Sequence, residues 1–361
     1  MRFKPYLLDR YIFGKLLTTY IFVVLILLAV LCVIEFTERN GDFIKNKAPG
    51  NEILDYFISY LPYWANQLSP LMIFISTVFV TSRMAAHTEV VAILSSGVSF
   101  VRFLAPFFVG SVVVAVIIYF LVGWVIPNTN VTRIEFERKY VKQPYSFEGR
   151  NVHLRIAQDT YAYLESYSNT VKSGYRFTLE TLQDTELKSK LSATRISWNE
   201  DQQNWRLDNC VVRTIEGTKE TFAYLPFVDT TINLLPKDFE NEYKLNEMLT
   251  NDALEAKISE MKLRGTDGIE LYIIERYERD AYPFAILILT IIGVILSARK
   301  VRGGASIQIA FGFVLAFIYI FFVMVSKNIA MAGDLPPLLA VWLPNLIFGS
   351  IGLTLYKTIP Q

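Results

Sequence analysis

The stretch FLAPFFVGSVVVAVIIYFLVGWVIPNTNVT, residues 103–132, runs for 30 residues without a charged side chain. A helix needs roughly 20 apolar residues to cross the hydrocarbon of a bilayer. Backbone in lipid must satisfy its own hydrogen bonds, so such a stretch reads as a transmembrane helix. Five more uncharged runs flank it: 16–34, 56–82, 281–298, 303–326 and 335–356. Three of the six precede a polar block, and three follow it. The sequence therefore predicts an α-helical membrane protein with six transmembrane helices and one folded domain inserted after the third.

Composition agrees. The 361 residues are 52% hydrophobic and 19% charged, against about 25% charged in soluble chains. The deficit lies in the two ends; residues 133–280 read as an ordinary soluble domain. A net charge of +1 gives no global field for nucleic acid. Cys32 sits in the first span and Cys210 in the polar block, so neither a disulfide nor a metal site is expected. His87 and His153 stand alone and suggest no metal ligand set. Arg2, Lys4, Arg10 and Lys15 before an apolar run imitate a signal peptide. That run is too long for an h-region and has no small-residue cleavage site, so residues 16–36 read as a retained helix.

Lys and Arg favour the cytoplasmic ends of spans. With the N-terminus inside, the inner segments hold ten such residues: Arg2, Lys4, Arg10, Lys15, Arg83, Arg102, Arg299, Lys300, Arg302 and Lys357. The outer loops hold four: Arg39, Lys45, Lys47 and Lys327. Both termini are thus expected in the cytoplasm, and the inserted domain outside it, in the periplasm of a cell with two membranes.

Within the insert, residues 150–235 alternate as β-strands do, as in Tyr161-Ala162-Tyr163-Leu164-Glu165 and Arg195-Ile196-Ser197-Trp198. The polar run 199–204 between two such segments signals a hairpin loop. About six to eight short strands are expected, forming an antiparallel sandwich or jelly roll with open edges. Residues 250–264 read as a helix with Thr250 or Asn251 at its start and Gly265 at its end. Leu254, Ile258, Met261 and Leu263 are expected to form its apolar side. A second helix should begin near Asp267 and run into the fourth span, with Arg276 and Arg279 near lipid head groups.

The segment from Ser82 to Ser99, between spans two and three, is helix-permissive and ends at Gly97, a suitable C-cap. Ala85, Ala86 and Ala92 keep it slim around one central acid, Glu89. A helix of this kind at a membrane surface suits docking in a groove of another protein; the plain alternative is a loop helix with a solvated Glu89.

This segment resembles the coupling helix of the lipopolysaccharide-export permeases, the LptF/LptG (YjgP/YjgQ) family. Arg83, Thr88, Glu89, Gly97, Val98 and Ser99 match that pattern in order. Leu8-Asp9-Arg10-Tyr11-Ile12 is similar to the family's opening, and slightly more to its LptG branch. Leu61-Pro62, Ser69-Pro70, Pro127-Asn128, Ile274-Glu275-Arg276-Tyr277 and the run from Arg299 to Gly304 extend the likeness along most of the chain. The resemblance implies transmembrane helices 1–3 in residues 1–132, with a coupling helix about 84–97. It implies a periplasmic β-jelly-roll domain with a trailing helix in 133–270, and transmembrane helices 4–6 in 271–361.

By that resemblance the chain is the permease subunit of an ABC transporter in the inner membrane of a Gram-negative bacterium. It would pair with a sister LptF or LptG permease on an LptB-type ATPase dimer, extract lipopolysaccharide and pass it to an LptC-type periplasmic bridge. Glu89, with Arg83 and His87 nearby, would couple to the ATPase. ATP and Mg would be bound by that partner, since this chain has no phosphate-binding loop of its own. Spans one and five would line the lipid cavity, and Gly303, Gly304 and Gly312 would permit close helix packing. The family's LptG members place Lys near the outer end of span one; this chain has Glu35 and Glu38 there. Candidate head-group contacts are then Arg39, Lys45, Lys47, Arg133 and Arg138, with Lys139 and Lys142 beside them. An alternative is a permease of another ATP-driven extracytoplasmic complex, lipoprotein-releasing or mechanotransmitting, although such chains carry four spans. A secondary transporter would place ionisable residues in mid-membrane, and an enzyme would cluster acids, His or Cys; the sequence shows neither.

Overall fold

The computed structural model describes residues 7–141, 150–157, 159–169, 171–183, 186–239, 244–264, 268–298 and 305–357. Arg2, Lys4, Lys142, Gly265, Asp267, Arg299, Lys300, Arg302, Gly303 and Gly304, all used in the sequence reading, lie outside these. The chain divides into two compact units. One, of helices, comprises residues 1–141, 246–254 and 270–361; the other, built on a sheet, comprises 142–245 and 255–269.

Six helices of the described chain are long and apolar enough to cross a membrane, as the six uncharged runs predict. α1 spans Leu7–Lys45, and its 39 residues reach about 58 Å at 1.5 Å per residue. It ends with Lys47 in the left-handed region, at φ 52°. There the Ala48 N–H reaches the Phe43 carbonyl at 2.9 Å and the Lys47 N–H reaches that of Ile44 at 3.2 Å, the paired bonds of a Schellman motif.

The second run is two helices, α2 (Gly50–Gln67) and α3 (Ser69–Ala86). Pro70, in the first turn of α3, has no N–H to continue the ladder of α2. Residues 100–141 form one long helix, α5, interrupted by a π turn at Leu121–Val125. The Ile126 N–H there bonds back to the Leu121 carbonyl. Pro127, lacking its own donor, follows directly, and the wider turn accommodates its ring. The later spans are α7 (Ile269–Ser297), α8 (Ala305–Met331) and α9 (Pro337–Lys357).

Buried α3 is the post of this unit. Its Phe74 and Val78 pack with Leu289 and Ile292 of α7 and Ala316 of α8. Glycines permit that approach. A Cβ at Gly293 would stand 3.2 Å from Phe74 and Thr77, and one at Gly312 would stand 3.2 Å from Val78. The close-packing role expected of Gly312 is therefore filled against α3. Buried hydroxyls bond back along their own helices: Ser76 to the Met72 carbonyl at 2.6 Å and Thr290 to that of Ile286 at 2.7 Å. No donor is left facing hydrocarbon at these positions.

The other unit contains one six-stranded antiparallel sheet in the order β1 to β6. The strands are Arg150–Ala157, Thr160–Ser168, Ser173–Gln183, Glu186–Asn199, Asn204–Glu216 and Lys219–Thr230. The hairpin predicted at 199–204 is present, with Asn199 opposite Asn204. Asn199 Oδ1 accepts from the Asp201 N–H at 3.0 Å. Strands reach 14 residues, longer than the sequence suggests, because charged side chains on one face do not stop pairing when the other face is buried. Among the described residues each strand pairs only with its sequence neighbours, a meander rather than an exchange between two sheets, and β1 and β6 are open edges. The core is Leu164, Phe177, Ile196, Trp205 and Leu207 with their neighbours. Buried Trp205 donates its Nε1–H to the Leu234 carbonyl at 2.6 Å. The expected helix after the sheet is α6, Asn251–Arg264, with Leu254, Ile258 and Met261 buried; Leu263, expected on the same side, is exposed in the last turn.

Candidate functional site

The predicted coupling helix about 84–97 is not continuous. α3 continues through Ala86; His87 and Thr88 turn; and a seven-residue helix, α4, covers Glu89–Ser95. The break is set by Thr88, whose φ of 63° lies in the left-handed region. A β-branched residue there is a steric outlier, and such strain is held where the surroundings fix it. The fixing contacts are visible. Val90 of α4 is buried with Ile12, Met84, Ala85 and Phe103. At the far end Gly97, at φ 87°, gives its N–H to the Leu94 carbonyl at 3.1 Å, the C-cap expected of it. Ser99 then caps α5, accepting from the Arg102 N–H at 3.3 Å.

Glu89 thus opens α4 instead of sitting mid-helix, where its charge favours the N-terminal turn. Nor is its carboxylate merely solvated. Tyr11 of α1 donates its hydroxyl at 3.1 Å, and Lys15 Nζ lies 3.4 Å away. Lys15 also bonds the Tyr11 hydroxyl. Asp9 of α1 pairs with Arg102 of α5 at 2.5 Å. The foot of α1 is therefore held from two sides, by α4 and by α5. Lys15 and Glu89 are each about one-third exposed, so the pair adds little stability and chiefly fixes orientation. Arg83 and His87 are exposed on α3 and at its end. Glu89, Arg83 and His87 are gathered at one end of the helical unit, beside Tyr11 and Lys15, which sequence reasoning missed as partners. Their cue was an aromatic and a cation at i and i+4, one turn apart on α1.

The proposed head-group residues divide. Lys45 and Lys47 are exposed at the end of α1. Arg39 leans on Glu35 at 3.3 Å and Asp42 at 3.9 Å. Glu35, which breaks the expected basic pattern, is tied down by the Tyr56 hydroxyl at 2.6 Å. Arg138 is half-buried.

Arg133 stands apart: it is 1% exposed. Its Nη1 meets Glu137 at 2.9 Å and its Nη2 meets Glu247 at 2.5 Å. Its Nε donates to Asn130 at 3.2 Å, and its guanidinium lies 3.9 Å from the Tyr63 ring centre. Every face of the fork is occupied within the helical unit. Arg279, read from sequence as interfacial, is likewise buried. It binds Glu275 at 3.1 Å, the Leu249 carbonyl at 2.8 Å and Asn251 at 3.0 Å. Together the two arginines clamp residues 246–251. Lys327 pairs with Glu278 at 2.8 Å beside them. Among the described residues no group of three or more His, Cys, Asp or Glu could hold a metal ion.

No curated protein matches the chain. The sequence pattern of the lipopolysaccharide export system permease LptF/LptG family matches residues 10–358, nearly the whole length, without separating the two branches. Six long apolar helices, a six-stranded antiparallel insert and a strained turn carrying Glu89 thus stand in a multi-pass membrane protein that belongs to the lipopolysaccharide export system permease LptF/LptG family.

Proposed function

We propose that this permease extracts lipopolysaccharide from the inner membrane by coupling an ATPase at the α3–α4 turn to movement of α1. One observation carries the reading: Glu89 leads a short exposed helix and is bonded to Lys15 and Tyr11 of α1. A force applied to α4 reaches α1 through that contact and through Val90. In this proposal the turn faces the cytoplasm, and Arg83, His87 and Glu89 meet an LptB-type ATPase dimer, which binds ATP and Mg. The sheet domain lies in the periplasm and hands the lipid to an LptC-type bridge protein by strand addition at an open edge. A sister LptF or LptG permease completes the cavity. Lys45 and Lys47, with Arg39 and Arg138, receive the acidic head group, while Arg133 holds the helical frame that supports them.

The test is co-purification of the chain from its own membranes in detergent, wild type against Glu89→Ala. Recovery of an Lpt-type ATPase with wild type, and its loss or uncoupling in the variant, supports the reading. Recovery of no ATPase with either form refutes it.

A further inference from the structure

Two adjoining cavities lie within the helical unit, away from the α3–α4 turn. The larger, about 320 Å³, runs between α2–α3 and α7–α9, with apolar walls that include Leu71, Ala285, Ile320 and Val323. The smaller, about 70 Å³, is mainly polar and is lined by Asn66, Glu247, Glu275 and Arg279 among others. Tyr63, Gln67, Glu278, Tyr282 and Lys327 line both. An apolar chamber thus opens at one end onto a polar one, with the Glu278–Lys327 pair at the threshold.

The polar chamber has an unmet hydrogen bond. Asn66 Oδ1 is buried and has no partner among the described residues, an unfavourable state unless a donor arrives. Formal charge points to what that donor is. Lining the chamber, Arg279 and Lys327 face Glu247, Glu275 and Glu278. Among these described residues one negative charge is in excess, so a net-anionic head group would add to the imbalance, whereas a zwitterionic one leaves it unchanged and sets its ammonium against the carboxylates.

We propose that these cavities hold one phospholipid with a primary-amine head group, of the phosphoethanolamine type. One acyl chain fills the apolar chamber, whose volume lies at the lower end of the roughly 300–1,000 Å³ of small-molecule pockets. The second chain stays in the bilayer. The phosphate meets Lys327, and the ammonium lies between Glu278 and Asn66 Oδ1. Charges then alternate around the threshold: lysine, phosphate, ammonium, carboxylate. Occupancy of this site does not depend on which lipid is exported.

The test is native mass spectrometry of the full-length chain in detergent, with phosphatidylethanolamine and phosphatidylglycerol added in competition. Wild type should retain one lipid, with about a tenfold preference for phosphatidylethanolamine, a difference of roughly 1.4 kcal/mol. Val323→Trp, which fills the apolar chamber, should lose the retained lipid; a melting curve without added lipid checks that it folds. Asn66→Leu, which removes the acceptor but no charge, should keep one lipid and lose the preference. Equal retention of both lipids by wild type, or unchanged binding in folded Val323→Trp, overturns the proposal. Displacement of the lipid by detergent monomer at equal molarity also overturns it.

Discussion

Replacing Arg133 with methionine separates two roles for that residue. As a head-group contact it would be dispensable for stability and needed for transport. As a buried clamp it is the reverse. The structure shows a side chain 1% exposed, between Glu137 at 2.9 Å and Glu247 at 2.5 Å, under the Tyr63 ring. Methionine keeps much of the volume and removes the charge, leaving two carboxylates with their shared cation gone. Breaking a buried pair in this way costs about 3–5 kcal/mol. The assay is equilibrium unfolding of the purified chain in mixed micelles. Arg133→Met should lose stability in that range, and Arg133→Met/Glu137→Leu/Glu247→Gln should regain most of it, because no buried charge is then orphaned. A loss under about 1 kcal/mol, together with abolished lipid export, would refute the clamp and restore the head-group role.

Three further outcomes follow from the geometry. Lys15→Met should leave ATPase binding intact and lower lipid exported per ATP severalfold, while Lys15→Arg, which keeps the cation beside Glu89, stays near wild type in a reconstituted assay. Gly174→Ala places a Cβ 2.2 Å from Leu164 and 2.9 Å from Ile196; overpacking of that kind costs about 1–3 kcal/mol, seen as an earlier thermal transition by circular dichroism. The hydrogen bond from Arg206 holds the Asp229 carboxyl below its usual value of 3.8. A depressed folded pKa means the stabilisation is complete above the usual value and is lost as pH falls below it, through the lower value of the folded state. Amide exchange in β6 should therefore be unchanged from pH 7 to 5 and accelerate, after correction for intrinsic rates, only at lower pH.

Charge spacing alone made the spans legible. Hydrocarbon excludes ions so strongly that a ruler laid between charged residues finds the helices. It did not find the break at Leu68, because Ser69-Pro70 can sit inside a kinked helix or start a new one, and packing of α3 decides between them. It also misjudged Arg133 and Arg279. Each follows or precedes an apolar run, where a cation normally snorkels to the interface. What buries Arg133 is Glu247, 114 residues later in the chain, and no local pattern contains that meeting. Their i,i+4 acids, Glu137 and Glu275, were the available hint. At the α3–α4 turn the sequence located Glu89 but not its company: Thr88 reads as an ordinary helical residue until its φ is seen.

The long first helix behaves as a beam pinned at both ends. Its foot is fastened by Asp9, Tyr11 and Lys15, and its upper part by Glu35 to Tyr56. Between Tyr20, which bonds Ser69 at 2.9 Å, and Glu35, most side chains face outward: Ile21, Phe22, Leu25, Ile26, Val30, Val33 and Ile34 are all exposed. A beam so held cannot slide freely when its foot is pushed; it bows. Under the proposed coupling the deflection would be greatest between Tyr20 and Glu35, where most side chains face outward, and a small thrust at the foot would become a sideways displacement there.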